Sequence, residues 1–256
     1  MIAEPILCAS AIALRYPGGD HNVLEHFDLE LKYGETVSVL GPSGIGKSSL
    51  LRILAGLQRP TSGVVSVQGA PLGGPHPRVA IAFQDPGLLP WLSLERNVAF
   101  GLNFKHQPRL SRSERASRVD TAISEVGLSQ ARRQFPDQLS GGMAQRTALA
   151  RCLARKPDIL LLDEPFGALD EVTRSQMQDL LLKIVRDFRT AAVLITHDID
   201  EALLVSDRVL LLGGSPAHRI GEWSIDLPKP RENYVTELGA IRVEIVTALR
   251  RAMRLH

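Results

Sequence analysis

The stretch GPSGIGKS, residues 41–48, has the residue types and spacing of a phosphate-binding loop, and it lies between a strand-like run and a helical pattern. Its glycines allow the backbone to fold around a phosphate and to direct several N–H groups inward. Lys47 is expected to reach the β- and γ-phosphates of a nucleotide, and Ser48 to offer its hydroxyl to Mg²⁺. The alternative is a chance glycine turn. The residues predicted to contact nucleotide here are Gly41, Pro42, Ser43, Gly44, Ile45, Gly46, Lys47, Ser48 and Ser49.

A second stretch, ILLLDEP at residues 159–165, places two carboxylates at the end of an apolar run. Neighbouring residues at a strand end point to opposite faces, so Asp163 and Glu164 can have separate tasks. Asp163 is expected to hold Mg²⁺, through water or through Ser48. Glu164 is expected to accept a proton from the attacking water or to orient that water. The pattern is weak alone, and the phosphate loop upstream is what makes it indicate nucleotide hydrolysis.

Two more apolar runs are followed at once by a polar side chain, in AFQD at residues 82–85 and ITHD at residues 195–198. Gln84 and His197 are therefore expected at the sheet edge that carries the phosphate loop. Gln84 can bind Mg²⁺ or the attacking water, and His197 can donate a hydrogen bond to the γ-phosphate. Taken singly, each is an ordinary polar residue at a strand end.

A second loop able to face a phosphate is LSGGMAQRTALA at residues 139–150. Ser140, Gly141 and Gly142 precede residues that favour a helix, and a helix N-terminus directs N–H groups and positive charge at an anion. The alternative is a helix cap, with Ser140 as the N-cap and the glycines giving clearance.

The elements that must position these residues follow from five short apolar runs that do not alternate. Such runs are typical of strands buried on both faces of a mostly parallel sheet. They are residues 36–41, 78–84, 158–165, 191–198 and 208–214. Amphipathic helical patterns at residues 46–58 and 171–189 separate some of them, which predicts an α/β layered fold. In the second helix, six residues are expected in the core: Met177, Leu180, Leu181, Ile184, Val185 and Phe188.

The remaining segments predict one domain, residues 1–256, with three parts. The nucleotide-binding core comprises residues 1–85 and 158–214, and its first 34 residues predict a small antiparallel β subdomain. Residues 86–157 predict an inserted helical subdomain that contains the second loop. Residues 215–256 predict a C-terminal tail that ends in an amphipathic helix at residues 241–255.

The composition indicates a chain of 256 residues able to bury a sizeable core, with 44% hydrophobic and 23% charged residues. The net charge of +2 gives no reason to expect a nucleic-acid partner. Two cysteines, Cys8 and Cys152, favour a reducing compartment over a disulfide or zinc framework. The first residues lack a basic leader, and no apolar run has the length of about 18 residues needed to span a bilayer. Residues 103–156 are basic, which indicates either solvated helices or a surface facing phosphate or anionic lipid.

Together these stretches resemble the ATP-binding subunits of ABC transporters, from about Tyr16 to about Leu212. The parts stand in the family's order, and LSGG is the most specific because other phosphate-loop NTPases lack it. The resemblance implies ATP and Mg²⁺ as cofactors, and Tyr16 as the aromatic that stacks on adenine. It also implies a head-to-tail dimer in which Ser140, Gly141 and Gly142 of one chain close on the γ-phosphate bound by Lys47 of the other. The resemblance further implies that the stretch GALD at residues 167–170 lies between the two sites, where Asp170 is expected to link them.

The resemblance further implies a membrane partner, since hydrolysis must drive another protein. The stretch DPGLLPWLSLERNVAFGL, residues 85–102, is expected to form a groove for a short cytoplasmic helix of an integral membrane permease subunit. The alternative is that its apolar residues fill the helical subdomain's own core. The implied location is peripheral, at the cytoplasmic face of the inner membrane, with an extracytoplasmic solute-binding protein as an indirect partner.

Within the family, the motifs look like the branch that serves nitrate, aliphatic sulfonate and taurine importers, and similar subunits serve pyrimidine precursors of thiamine. A soluble ABC-type ATPase usually has two fused cassettes or a long coiled-coil insertion, and neither pattern occurs here. A phosphate-loop kinase needs a lid and a second substrate pocket and does not need LSGG.

Overall fold

Two β-sheets share a core in the computed structural model, which describes residues 4–104, 107–167 and 169–254. The strands are β1 (Leu7–Leu14), β2 (Leu24–Leu31), β3 (Thr36–Leu40), β4 (Ser62–Val67), β5 (Ala70–Pro71), β6 (Val79–Ala82), β7 (Ile159–Asp163), β8 (Ala191–Ile195), β9 (Arg208–Gly213) and β10 (His218–Ser224). The helices are α1 (Lys47–Leu54), α2 (Leu94–Ala99), α3 (Arg112–Glu125), α4 (Gly141–Leu153), α5 (Glu171–Phe188), α6 (Ile199–Val205) and α7 (Val235–Arg254).

The main sheet has six strands in the order β10-β9-β3-β8-β7-β6. Its five strands from β9 to β6 are parallel, and only β10 pairs antiparallel, with β9. Every residue of β3, β7 and β8 is buried, because α1 and the second sheet cover one face while α5 covers the other. The predicted α/β fold with a mostly parallel sheet is confirmed.

The second sheet is antiparallel, in the order β2-β1-β4-β5. The sequence predicted β1 and β2 but assigned no strand to the segments of β4 and β5. β4 begins with three exposed residues and β5 has only two residues, so neither presents the apolar run that identified the others. The core between the sheets includes Leu7, Ile12, Phe27, Val39 and Leu161.

Three helices between β6 and β7 form a core of their own. Residues on α2, α3 and α4 pack together, with Leu94, Val98 and Ile123 fully buried. Ser111 begins α3 through a capping box, in which Ser111 and Glu114 each accept the other's backbone N–H. Among the described helices, none combines the length and the apolar character needed to cross a membrane.

The buried face of α5 follows the predicted helical spacing except at its end. Met177, Leu181, Ile184 and Val185 are buried, and Leu180 is partly buried. Phe188 is 51% exposed, so its assignment to the core is wrong. It is the last helical residue, and Arg189 then turns the chain with a left-handed φ of 51°, which leaves Phe188 beyond the packed face.

The residues after β9 pack onto the main sheet. β10 extends the sheet, and α7 buries Ile245 against α6 and β9. Between them, the Arg231 guanidinium is 2% exposed and donates to the carbonyls of Leu227, Leu203, Ser206 and Ile225. Arg231 thereby ties this segment to the C-terminal end of α6.

Candidate active site

Four parallel strands of the main sheet end at one edge and bring the predicted chemical groups together. Gly41 follows β3, and Asp163 is the last residue of β7. Gln84 lies two residues after β6, and His197 lies two residues after β8. This carboxyl edge is where open α/β sheets bind ligands.

The phosphate loop surrounds the buried ammonium group of Lys47. Gly44 and Gly46 have left-handed φ angles of 80° and 100°, which a side chain would strain. Lys47 is 5% exposed, and its Nζ donates to the carbonyls of Gly41 at 2.8 Å and Pro42 at 2.9 Å. Burial lowers the pKa of Lys47, and the nearby carboxylates at positions 163 and 164 act in the opposite direction. A phosphate in the loop would give this ammonium a charged acceptor in place of the carbonyls.

Ser48 and Asp163 meet beside the loop. The Ser48 hydroxyl donates to Asp163 Oδ1 at 3.1 Å, and Asp163 is 7% exposed. Burial raises the pKa of Asp163, while the Ser48 hydrogen bond and nearby cations lower it. These oxygen donors fit Mg²⁺, which in phosphate sites takes one or two protein ligands together with phosphate and water. Among the described residues, no three His, Cys, Asp or Glu side chains form a metal-binding group.

Glu164 lies between two other predicted residues, Gln84 and His197. Its Oε2 accepts from the Gln84 amide at 3.4 Å, and its Oε1 lies 3.3 Å from His197 Nδ1. Its backbone has a left-handed φ of 45°, which is uncommon outside glycine and gathers at functional sites. The Glu164 N–H donates to the Ile195 carbonyl of β8 at 2.8 Å and holds that backbone in place. The structure thus joins Gln84, Glu164 and His197 in one cluster.

Tyr16 reaches the same loop from the antiparallel sheet. Its ring is 45% exposed, and its hydroxyl lies 2.5 Å from the Ser49 hydroxyl on α1. Ser49 is only 4% exposed, and its hydroxyl contacts the Tyr16 hydroxyl. Stacking of Tyr16 on adenine stays a prediction.

The second loop has its contacts elsewhere in the chain. Ser140 is the N-cap of α4, and its Oγ accepts from the Met143 N–H at 3.3 Å, which is the arrangement that the helix-cap alternative describes. Gly142 lies against Thr173 of α5. Neither contact involves the phosphate loop of the same chain, so one chain does not bring these two predicted phosphate sites together in the contacts described.

Asp170 begins α5 as its N-cap. Its Oδ1 accepts from the Thr173 N–H at 3.0 Å and its Oδ2 from the Thr173 hydroxyl at 2.7 Å. These two hydrogen bonds lower the pKa of Asp170. Ala168, in the predicted stretch GALD, lies outside the described residues.

Asn97 organises the loop that follows Gln84, although it is not among the residues predicted to bind nucleotide or metal or to act in catalysis. It is fully buried, its Oδ1 accepts from the Leu89 N–H at 2.8 Å, and its amide donates to the carbonyls of Leu89, Leu92 and Ser93. The available signal was an amide among the apolar residues of LERNVAF, because a buried amide must find partners.

We expect Asn97→Ala to lower the free energy of unfolding by about 2–3 kcal/mol, because it leaves buried backbone groups of the loop without partners. Urea denaturation followed by circular dichroism measures the change. Asn103→Ala is the control, since Asn103 is exposed and should shift stability by less than about 0.5 kcal/mol. Equal denaturation midpoints for the two variants would contradict this role of Asn97.

Gln145 and Arg151 of α4 fix the segment around Gln84. The Gln145 amide donates to the Gln84 carbonyl at 2.8 Å, and Arg151 donates to the carbonyls of Pro86 at 2.6 Å and Gly87 at 2.9 Å. Part of the basic character of residues 103–156 is therefore used to bind backbone within the chain. Helical spacing places Gln145 on the buried face with Leu149 and Cys152, a signal that could have identified it.

A buried carboxylate links α5 to the residue before His197. Glu201, 6% exposed, accepts from the Thr196 hydroxyl at 2.8 Å and lies 3.5 Å from the Arg174 guanidinium. Burial raises the pKa of Glu201, and the hydrogen bond from Thr196 opposes that shift. The turn that carries His197 is therefore fastened to the first turn of α5.

The chain is similar in sequence and in fold to known proteins. The family model described as ABC transporter matches residues 24–167. The aliphatic sulfonates import ATP-binding protein SsuB 2 of Burkholderia cenocepacia is 45% identical over 98% of this chain and 89% of that protein. The nitrate import ATP-binding protein NrtD of Synechococcus elongatus is 45% identical over 84% of this chain and 79% of that protein. A solved dimer of an ATP-binding cassette in a post-hydrolysis state, bound to ADP and Pi, is similar with a TM-score of 0.76 and 31% identity, covering 87% of this chain and 100% of that chain.

Proposed function

The chain belongs to the ABC transporter family, and from this membership we propose that two copies of it bind ATP between them and power a membrane importer. ATP hydrolysis coupled to transport is the activity that the family implies. The observation that supports the assignment of residues is the position of Glu164, held between Gln84 and His197 at the edge where the phosphate loop opens.

Each group at this edge has a separate task in the proposed reaction. Lys47 and the loop N–H groups hold the β- and γ-phosphates, and Ser48 and Asp163 hold Mg²⁺, with Gln84 as a further candidate ligand. The bound Mg²⁺ neutralises charge on the phosphate oxygens. Glu164 takes a proton from the attacking water, which Gln84 helps to orient. His197 donates to the γ-phosphate as charge develops on it.

The second half of each site comes from the other copy. Ser140, Gly141 and Gly142 are proposed to close on the γ-phosphate held by Lys47 of the partner, and Tyr16 to stack on adenine. Asp170 is proposed to lie where the two sites adjoin. This arrangement is supported by the similarity to a cassette solved as a dimer.

Closure of the dimer is proposed to depend on the γ-phosphate. An open pair leaves each γ-phosphate without the donors of the second loop, so ATP binds the closed pair more tightly and favours it. Loss of the γ-phosphate removes that difference in affinity, and the pair separates.

An exposed aromatic surface is proposed to receive the permease. Its groove has a volume of about 400 Å³ and is lined by residues that include Leu92, Phe100 and Phe104. Phe104 is 56% exposed, and Trp91 nearby in sequence is 69% exposed. Leu92 and Phe100 of this groove belong to the segment that starts directly after Gln84, and Gln84 is proposed to connect the state of the γ-phosphate to the position of the groove. A short cytoplasmic helix of the permease is the proposed occupant, which places this chain peripherally at the cytoplasmic face of the membrane.

We expect Trp91→Ala to reduce co-purification with the permease and ATP-driven uptake by about 10-fold or more, since exposed aromatic anchors dominate interface energies. ATP binding by the isolated chain should be unchanged. The measurements are pull-down from detergent extract and uptake in reconstituted vesicles. Phe188→Ala is the matched control, because Phe188 is an exposed aromatic that does not line this groove. Full recruitment of the Trp91 variant, or wild-type chain that never recruits a permease, would contradict the proposal.

The proposed cargo is nitrate, an aliphatic sulfonate or taurine, delivered by a solute-binding protein outside the cytoplasm. Relatives that are 45% identical are named for import of aliphatic sulfonates and of nitrate. The proposed role of this chain gives it no contact with the cargo, so the permease and the binding protein select it. Comparing the uptake of nitrate, aliphatic sulfonates and taurine into the reconstituted vesicles identifies the cargo.

A further inference from the structure

The two glycines of the second loop have different surroundings. Both lie in the first turn of α4, and neither has a left-handed φ, so the backbone does not require glycine at either position. A Cβ on Gly141 would meet no atom within 4 Å. A Cβ on Gly142 would lie 2.5 Å from Cγ2 of Thr173, whereas carbon atoms in contact are about 3.5–4.0 Å apart.

Thr173 is held so that its methyl group stays against Gly142. Its hydroxyl donates to Asp170 Oδ2 at 2.7 Å and its N–H donates to Asp170 Oδ1 at 3.0 Å. A β-branched side chain in a helix has few rotamers, and rotation away from Gly142 would break the hydroxyl hydrogen bond. One turn further along both helices, Arg146 of α4 donates to Gln176 of α5. The two helices are therefore in contact at successive turns, and Thr173 cannot give way at low cost.

We propose that Thr173 is a positioning residue for the second loop. Gly142 is glycine because α5 of the same chain occupies the space of its Cβ, while Gly141 is open toward the nucleotide held by the other copy. The contacts of Gly141 and Gly142 with the partner's γ-phosphate rest on the proposed function, and the packing of Gly142 against Thr173 does not.

The contact between Thr173 and Gly142 sets the second loop against the start of α5. Asp170, the N-cap of that helix, ends the connection that leads from Glu164. The loop that serves the partner's nucleotide is thereby placed relative to the carboxylate that serves the chain's own nucleotide.

Thermal unfolding of the nucleotide-free chain tests the contact. Gly142→Ala should lower the midpoint by about 3–8 °C, because the added methyl is forced against Thr173. Gly141→Ala should leave the midpoint unchanged or raise it by up to about 3 °C, since alanine stabilises an unobstructed helical position. Adding Thr173→Ser to Gly142→Ala removes the obstructing methyl, keeps a hydroxyl for Asp170 and should restore most of the loss. Adding Thr173→Val keeps the methyl and should restore none.

ATP hydrolysis at saturating ATP supplies a second readout. Gly142→Ala should lose most activity, Gly142→Ala with Thr173→Ser should regain at least about half of it, and Gly142→Ala with Thr173→Val should stay inactive. If Gly142→Ala gives too little folded protein for thermal unfolding, the yield of soluble protein is compared instead. Adding Thr173→Ser should then restore that yield.

Three outcomes would overturn the proposal. They are an unchanged midpoint for Gly142→Ala, rescue by valine as good as rescue by serine, and a serine double variant that regains its midpoint but no activity. The last would mean that the nucleotide itself demands glycine at position 142. A wild-type chain that does not dimerise with ATP, or does not hydrolyse it, would contradict the proposed function. The unfolding midpoints of the variants would still test whether Thr173 packs against Gly142.

Discussion

Glu164→Gln should slow ATP hydrolysis by roughly 10²- to 10⁴-fold and leave an ATP-bound dimer that persists during gel filtration. Glutamine keeps the shape of the side chain but cannot take a proton from water. It can also keep both neighbours, with its oxygen toward the Gln84 amide and its amide toward a neutral His197 that accepts at Nδ1. The closed state would then form normally and fail to reset.

Steady-state phosphate release and gel filtration with ATP measure the two effects. Glu222→Gln removes the same charge from the surface of β10 and serves as the control, with wild-type rate and ATP-independent elution. A Glu164→Gln variant that turns over ATP at the normal rate would remove Glu164 from its role. A variant that is slow but elutes as a monomer in ATP would separate catalysis from dimer closure.

A mixture of two inactive variants should recover about a quarter of the wild-type ATPase rate. Lys47→Ala removes the cation of the phosphate loop, and Ser140→Arg fills the second loop with a bulky side chain, so each alone should lose roughly 10²–10³-fold in rate. Random pairing makes about half of the dimers mixed. In a mixed dimer, one site has an intact Lys47 from one chain and an intact Ser140 from the other, and the second site carries both substitutions. Half of the dimers therefore have one of two sites active, which gives about a quarter of the wild-type rate.

If the recovered ATPase activity comes from mixed dimers, it must require both variants and must depend on protein concentration. Each variant mixed with further copies of itself should stay inactive, and recovery should fall on dilution below the dissociation constant of the dimer. Thermal unfolding of the Ser140 variant should show only the loss of about 1 kcal/mol expected for a missing helix cap. A Ser140→Arg chain with full activity, or a mixture no more active than its parts, would show that the sites are not shared between copies.

The sequence predicted the strands that are buried on both faces, because such strands appear as continuous apolar runs. It did not predict β10, whose residues are mostly half-buried or exposed, since a polar edge strand has no comparable pattern. It assigned Phe188 to the core because helical spacing continues to the last turn, whereas packing ends one turn earlier. Local pattern thus indicates which face a helix buries, and only tertiary contacts set where that burial stops.

At the candidate site, the position of Asp163 at the end of a buried strand could be predicted from the sequence, whereas the contacts of Glu164 with Gln84 and His197 depend on a left-handed backbone just after β7. The contacts of Asn97, Gln145 and Thr173 could not be predicted, because their partners lie on other elements whose relative positions a single sequence leaves open. A motif identifies groups that touch the ligand through their type and spacing. The residues that hold those groups in place are of ordinary types, and only the packed chain distinguishes them.

Arg231 has a consequence for the order of events during synthesis. The carbonyls of Leu203 and Ser206 at the end of α6 are bound by a guanidinium that the ribosome adds more than twenty residues later. Until that side chain emerges, the helix that follows His197 lacks the donor that completes its last turn. In the nascent chain, the C-terminal end of α6 is therefore completed only after residue 231 has been added, long after the phosphate loop has been made.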